Sequence, residues 1–178
     1  LNKFKRQVNM RRAAVRTHLI MNTATSTFRI IAPISGKTIE LSKVPDPVFS
    51  EKLTGDGLAI LASGDEVLAP CDGVITLFFD TKHAFAITTP NGVQILVHVG
   101  LDTVILNGEG ITALHHSGDS VRAGTPILKL NLPLLQKRKI NLISPVLVVN
   151  YEKVKSLHPS PAGSRVEAGT DTVLEFAV

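Results

Sequence analysis

From Phe28 onward, short runs rich in Val, Ile, Leu and Thr recur about every eight to twelve residues, each closed by Gly, Pro, Asp or Asn. FRIIAPI, GKTIEL, GLAILA, GVITLFF, HAFAITT, VQILVHV, PILKLNL and PVLVVN are the clearest. That punctuation leaves no room for long helices and predicts an all-β, antiparallel sandwich or barrel with Greek-key connections. Helical signals are confined to short pieces. In Asp46-Pro47-Val48-Phe49-Ser50-Glu51-Lys52-Leu53 an Asp stands at the N-cap, Pro at the first helical position and Gly55 as a stop. A turn or two is expected over 134–139.

The core of such a fold must be aliphatic, because 44% of the 178 residues are hydrophobic but only 4% aromatic. No apolar run approaches the roughly 20 residues of a membrane span. The single cysteine, Cys71, excludes an internal disulfide and fits a reducing cytoplasm as an inert thiol in the turn-like Pro70-Cys71-Asp72-Gly73. The net charge of +4 belongs to one end of the chain: residues 1–21 hold six Lys/Arg and no acid, the remainder 13 Lys/Arg against 15 Asp/Glu. A domain over 26–178 is therefore slightly acidic and gives no sign of nucleic-acid binding. Residues 1–25 read as a basic tail. It is compatible with a leader that has no role, with a non-native extension, or with an arm that touches anionic membrane.

Two short strings return. Ala32-Pro33-Ile34-Ser35-Gly36 is echoed by Ala69-Pro70-Cys71-Asp72-Gly73, and the Gly-x-x-Val-x-Ala-Gly-Thr of 118–125 by that of 163–170. The echo suggests a duplicated β unit closing on itself, which would also remove exposed edges.

The chemistry concentrates between Thr81 and Gly100. Asn91-Gly92 between two apolar runs is the strongest short hairpin signal, a two-residue type I′ turn. If those two residues form the loop, Pro90 faces Val93, Phe85 faces His98 and His83 faces Gly100. Thr81, His83, Phe85 and His98 then share one face, with Ile95, Val97 and Val99 on the other. The two imidazoles become diagonal neighbours, with Cβ atoms about 7 Å apart. A near-neutral imidazole, with a pKa of about 6.5, can attack an electrophile or bind a metal. The nitrogen that does not react must carry the hydrogen and be held by an acceptor. Gly100, without a side chain, lets its carbonyl approach His98, and Thr81 is placed to anchor His83. The second imidazole can donate to a phosphoryl oxygen. The bland reading is a pair of half-buried sheet histidines. His18, His115, His116 and His158 read as ordinary exposed residues.

A metal reading competes. His98 and Asp102 form a His-x-x-x-Asp that certain zinc hydrolases of related β fold use as ligands, but the His-x-His that would complete three ligands is missing. Zinc is then left only as an adventitious or regulatory ion on His83 and His98, and no cofactor is required. A lipoyl or biotin carrier would need a Lys at the hairpin tip, and Asn91-Gly92 offers none.

These motifs, in order, resemble the glucose-class enzyme IIA family of the bacterial sugar phosphotransferase system, over residues 28–178. The matching strings include Ile31-Ala32-Pro33-Ile34-Ser35-Gly36, Val44 to Lys52, Gly55-Asp56-Gly57, Ala69 to Gly73, Thr81-Lys82-His83-Ala84-Phe85, Val97 to Val104, Gly108-Glu109-Gly110 and Leu132-Pro133-Leu134-Leu135. The resemblance implies a β-sandwich with a shallow apolar depression. It places the family's phosphorylated histidine on His98, its second histidine on His83 and the orienting threonine on Thr81. It further implies a phosphocarrier that accepts on Nε2 from the phosphohistidine carrier protein HPr, passes the group to a cysteine of the IIB domain of a membrane permease, and in its phosphorylated and unphosphorylated forms can bind different regulatory targets. Val48, Phe49, Phe85 and Leu96 are the candidate rim that keeps water from a labile phosphorus–nitrogen bond. Asp46, Asp56 and Asp102 are the candidate acids for a basic donor. Two positions depart from well-known enteric members: Ile105 stands where they carry an acid, and Val99 where they carry Phe.

Overall fold

The computed structural model describes residues 26–178; the basic tail of 1–25 lies outside them. Fourteen strands follow in chain order, all pairing antiparallel. The first seven are β1 Thr27–Ile31, β2 Gly36–Glu40, β3 Asp56–Ala62, β4 Glu66–Leu68, β5 Gly73–Phe78, β6 Ala84–Thr88 and β7 Gln94–His98. The others are β8 Ile111–Ala113, β9 Ser120–Val121, β10 Pro126–Leu130, β11 Ile143–Val148, β12 Ser156–Pro159, β13 Arg165–Val166 and β14 Thr172–Ala177. Eight form one sheet in the order β13-β2-β3-β11-β7-β6-β5-β9, and the rest form two three-stranded sheets, β1-β14-β12 and β4-β10-β8. The fold is the expected antiparallel β-sandwich. β11, late in sequence, inserts between β3 and β7 and so supplies the site with residues the hairpins alone cannot provide.

The echoed strings meet in the structure. Ile31 N–H donates to the Pro70 carbonyl at 2.9 Å and Leu68 N–H to the Pro33 carbonyl at 2.7 Å. Likewise Gly124 N–H donates to the Ala69 carbonyl at 2.8 Å and Gly169 N–H to the Ala32 carbonyl at 2.9 Å. The copies thus pair backbone groups with each other, among them the carbonyls of the buried Ala32 and Ala69. Buried Cys71 lies in this seam, and burial, reinforced by the Asp72 charge, pushes its thiol up to about 12. It is no nucleophile at neutral pH.

The inner face of the large sheet packs the main core, in which Phe85, Ile87, Ile95 and Val97 join Ile30, Phe176 and Leu128. A second, smaller cluster sits on the outer face, where Leu41, Val44 and Phe49 cover Ala59, Leu101 and Leu147. Phe49 belongs to α1, Pro47–Ser50, whose start is fixed as the sequence predicts: the Asp46 carboxylate accepts from Val48 N–H at 2.9 Å. The helix stops before Gly55, because Lys52 already takes a left-handed backbone at φ 58°. The second helix, α2, spans Leu132–Lys137 behind an Asn131 cap.

The hairpin register differs from the expected one by one residue. Gly92 N–H donates to the Thr89 carbonyl and Thr89 N–H to the Val93 carbonyl, each at 2.9 Å, so the loop has three residues, Pro90 to Gly92. Pro90 is suited to the first corner of a type I turn, and Gly92 at φ 81° takes the left-handed position that follows. Ala84 therefore faces His98, and Phe85 faces Val97. This corrects the placement of Phe85: it is 0% exposed in the inner core, stacked on Phe78 with ring centres 6.2 Å apart, and cannot form an active-site rim.

Candidate functional site

A one-residue slip should send the two histidines to opposite faces. They meet nonetheless, with ring centres 4.9 Å apart and planes at 70°. The reason is that His83 lies outside β6. Phe79 N–H donates to the Ala84 carbonyl, making Asp80 to His83 a four-residue loop, and Lys82 turns through φ 59°. The His83 carbonyl still accepts from Val99 N–H at 2.7 Å, so its backbone stays beside the end of β7. Its side chain, freed from strand alternation, swings onto the outer face beside His98.

Each ring is held by the partner the sequence suggests. His98 Nδ1 lies 2.8 Å from the Gly100 carbonyl. A carbonyl only accepts, so Nδ1 carries the hydrogen and the lone pair remains on Nε2. Thr81 Oγ1 lies 2.5 Å from His83 Nδ1; a hydroxyl that donates there leaves the hydrogen of His83 on Nε2. The Gly100 carbonyl is in reach because that residue has φ 67°, and a Cβ there would stand 2.9 Å from both the Asn141 carbonyl oxygen and Thr103 Cγ2.

The pair opens into a depression of about 590 Å³. Ala84 and Ala86 floor it, Val48, Phe49, Leu77, Phe79, Leu96 and Val149 wall it, and among the described residues no Lys, Arg, Asp or Glu lines it. The Phe49 ring meets His98 edge-on at 5.1 Å, and Phe79 lies 4.9 Å from His83. Dryness sets the protonation. Burial, and then the charge of the neighbouring His83, lowers His98 to about 4; the bond to Gly100 and the carboxylates of Asp46 and Asp102 pull the other way without prevailing. His83, 7% exposed, is also lowered by burial. Two neutral imidazoles at pH 7 result, one presenting a bare nitrogen.

The remaining sequence candidates separate. Val48, Phe49 and Leu96 line the depression. Asp46 caps α1 beside it, and Asp102 stands exposed beyond Leu101. Asp56 pairs with Lys52 at 2.9 Å and lines a different depression, on the side of Ser160. Val99 is buried in the core, so its replacement of Phe leaves the surface unchanged, whereas Ile105 is 73% exposed. Sequence reasoning missed Phe79, Thr103 and Ser144. The doubled Phe78-Phe79 at the end of β5 carried a signal, since successive side chains of an extended segment point to opposite faces. For Ser144, 44 residues from Gly100, no local signal exists; Thr103 bonds a carbonyl only four residues back.

Comparison with known proteins agrees with this geometry. The family model described as phosphoenolpyruvate-dependent sugar phosphotransferase system, EIIA 1, matches residues 28–154. This chain belongs to that family. The PTS system glucose-specific EIIA component of Borreliella burgdorferi is 46% identical over 136 residues, covering 76% of this chain and 72% of its own length. The component of the same name from Haemophilus influenzae is 39% identical over 145 residues, covering 82% and 86%. Among solved structures, glucose permease IIA from Mycoplasma capricolum superposes with a TM-score of 0.79 at 35% identity, covering 87% of this chain and 99% of its own. As an EIIA component, the chain is a phosphocarrier that passes phosphoryl groups through a phosphohistidine. The zinc-hydrolase alternative on His98 and Asp102 gains no support: the relatives are EIIA components, and among the described residues no group of three or more His, Cys, Asp or Glu is gathered for a metal.

Proposed function

We propose that His98 is the residue that carries the phosphoryl group. Its bare Nε2 attacks the phosphorus of a phosphohistidine on HPr; the new N–P bond forms as the donor's N–P bond breaks, and the electron pair returns to the donor imidazole. In the second transfer a cysteine thiolate of a IIB domain attacks the same phosphorus, forming a P–S bond and returning the electron pair to His98. His83, turned by Thr81 so that Nε2–H faces its neighbour, donates to a phosphoryl oxygen in both steps. The apolar walls exclude water from the P–N bond. The observation that carries this reading is the 2.8 Å bond from His98 Nδ1 to the Gly100 carbonyl, which leaves the nucleophilic lone pair facing the second ring.

HPr and the IIB domain are the proposed partners, with the exposed apolar Val48 and the carboxylates of Asp46 and Asp102 at the contact. The proposed location is the cytoplasm, where both partners would meet the protein; no described helix is long and apolar enough to cross a membrane. The glucose specificity in the relatives' names points to a glucose-type permease as the destination. No cofactor takes part.

The test is incubation with phosphorylated HPr, followed by intact mass and the chemical stability of the label. Wild type should gain one acid-labile, alkali-stable phosphoryl group, and His98→Ala none. His83→Ala should still accept the group but deliver it poorly to IIB. A label that persists in His98→Ala overturns the assignment.

A further inference from the structure

The two peptide units on either side of Gly100, Val99–Gly100 and Gly100–Leu101, have every polar group engaged. In the second unit, Gly100 O accepts from His98 Nδ1–H and Leu101 N–H donates to the Asn141 carbonyl at 2.7 Å. In the first, Gly100 N–H donates to Ser144 Oγ at 3.0 Å, and the Val99 carbonyl accepts from Thr103 Oγ1 at 2.7 Å. Ser144 in turn donates its own hydrogen to the Leu142 carbonyl at 3.0 Å. Ser144 and Thr103 are both 0% exposed. They are side chains from two different elements, β11 and the turn after β7, gripping one peptide plane from its two ends.

The geometry points to Ser144 and Thr103 as positioning residues for the phosphoryl transfer: their hydroxyls fix the Val99–Gly100 peptide plane, which fixes the Gly100 carbonyl and so holds His98 in the tautomer with Nε2 bare. The inference rests on His98 being the acceptor. Gly100, at φ 67°, lies outside β7, and glycine is the residue most free to leave that conformation. Without the clamp the Gly100 carbonyl is held only through the bond from Leu101 N–H to the Asn141 carbonyl, its grip on Nδ1 loosens, and the ring gains freedom to carry its hydrogen on Nε2, where it blocks attack. The two hydroxyls touch no reacting atom. They act through the peptide.

The experiment compares wild type, Ser144→Ala and Thr103→Val, each checked for folding by circular dichroism. Nitrogen-15 NMR of the His98 ring in unphosphorylated protein reads the tautomer, and single-turnover transfer from phosphorylated HPr reads the rate. Wild type should show Nδ1–H only. Both variants should gain the Nε2–H form, and their rate at saturating donor should fall roughly three- to tenfold, the worth of one net hydrogen bond. Half-saturation by HPr should not change, since neither residue reaches the surface. A merely structural role would lower stability and leave the tautomer alone, and that result overturns the inference. If Ser144→Ala fails to fold, Thr103→Val decides; if both fail, a wild-type ring found with its hydrogen on Nε2 still refutes it. Failure of the underlying assignment looks different: wild type then takes no label on His98, whatever the tautomer.

Discussion

Acidification tests the dryness of the site most directly. A free histidine titrates near 6.5, and His98 is lowered to about 4, first by burial and then by the His83 charge. The folded state therefore resists a proton that the unfolded chain takes up readily. Between pH 6.5 and 4 the unfolded chain binds the extra proton, so stability rises with pH across that window. The contribution is complete above 6.5 and is lost as pH falls toward 4. A gap of about 2.5 units at 1.36 kcal/mol each makes the loss about 3 kcal/mol. His83, also lowered by burial, acts in the same direction.

Carboxylates titrate in the same range, so the His98 part must be isolated by difference. Urea denaturation of wild type and of His98→Gln, at intervals from pH 7.5 to 4, gives that difference. Wild type should lose about 3 kcal/mol more than the variant, nearly all of it between pH 6.5 and 4. A proton NMR titration of the His98 ring should place its midpoint well below 6. Equal losses in the two proteins, together with a midpoint near 6.5, would refute the reasoning, since the ring would then be solvated and Nε2 half protonated in mildly acid conditions.

Two further outcomes are expected. Gly100→Ala should destabilise the protein by about 2–4 kcal/mol, from a left-handed backbone and from a Cβ pressed to 2.9 Å against the Asn141 carbonyl oxygen; thermal melting measures it, and an unchanged midpoint would contradict the close approach. Ile105→Glu, which returns an acid to a residue 73% exposed, should speed encounter with HPr about two- to fivefold at low ionic strength and not at high salt. A stopped-flow rate that ignores both the substitution and the salt would place Ile105 outside the contact.

The fold was legible because its determinants are local and repeated. Each of the eight apolar runs became a strand, Asp46 and Pro47 started α1, and the Ala-Pro strings marked two copies whose backbones bond to each other. The site was legible only in part, and its hydrogen-bond partners were more readable than its register. Gly100 and Thr81 lie two residues from the rings they hold, within reach of one stretch of chain. Ser144 is 44 residues from Gly100 and arrives only because β11 inserts between β3 and β7. No periodicity in the sequence encodes that insertion.

The register error is instructive because the convergence it led to exists for another reason. Pro90 makes the Asn91-Gly92 loop three residues long, which sends Phe85 inward and puts Ala84 opposite His98. Strict alternation would then bury His83 in the core. It escapes because it is still part of the loop, where Lys82, at φ 59°, turns the chain just before it and the side chain reaches the outer face. The small side chain of Ala84 serves the same end: opposite His98 it leaves space on the sheet that Phe85 would have filled, and the second imidazole occupies the edge of that space. The loop that carries His83 and the hairpin that carries His98 are thus matched to each other. A change in the length of either loop would part the rings while leaving every strand intact.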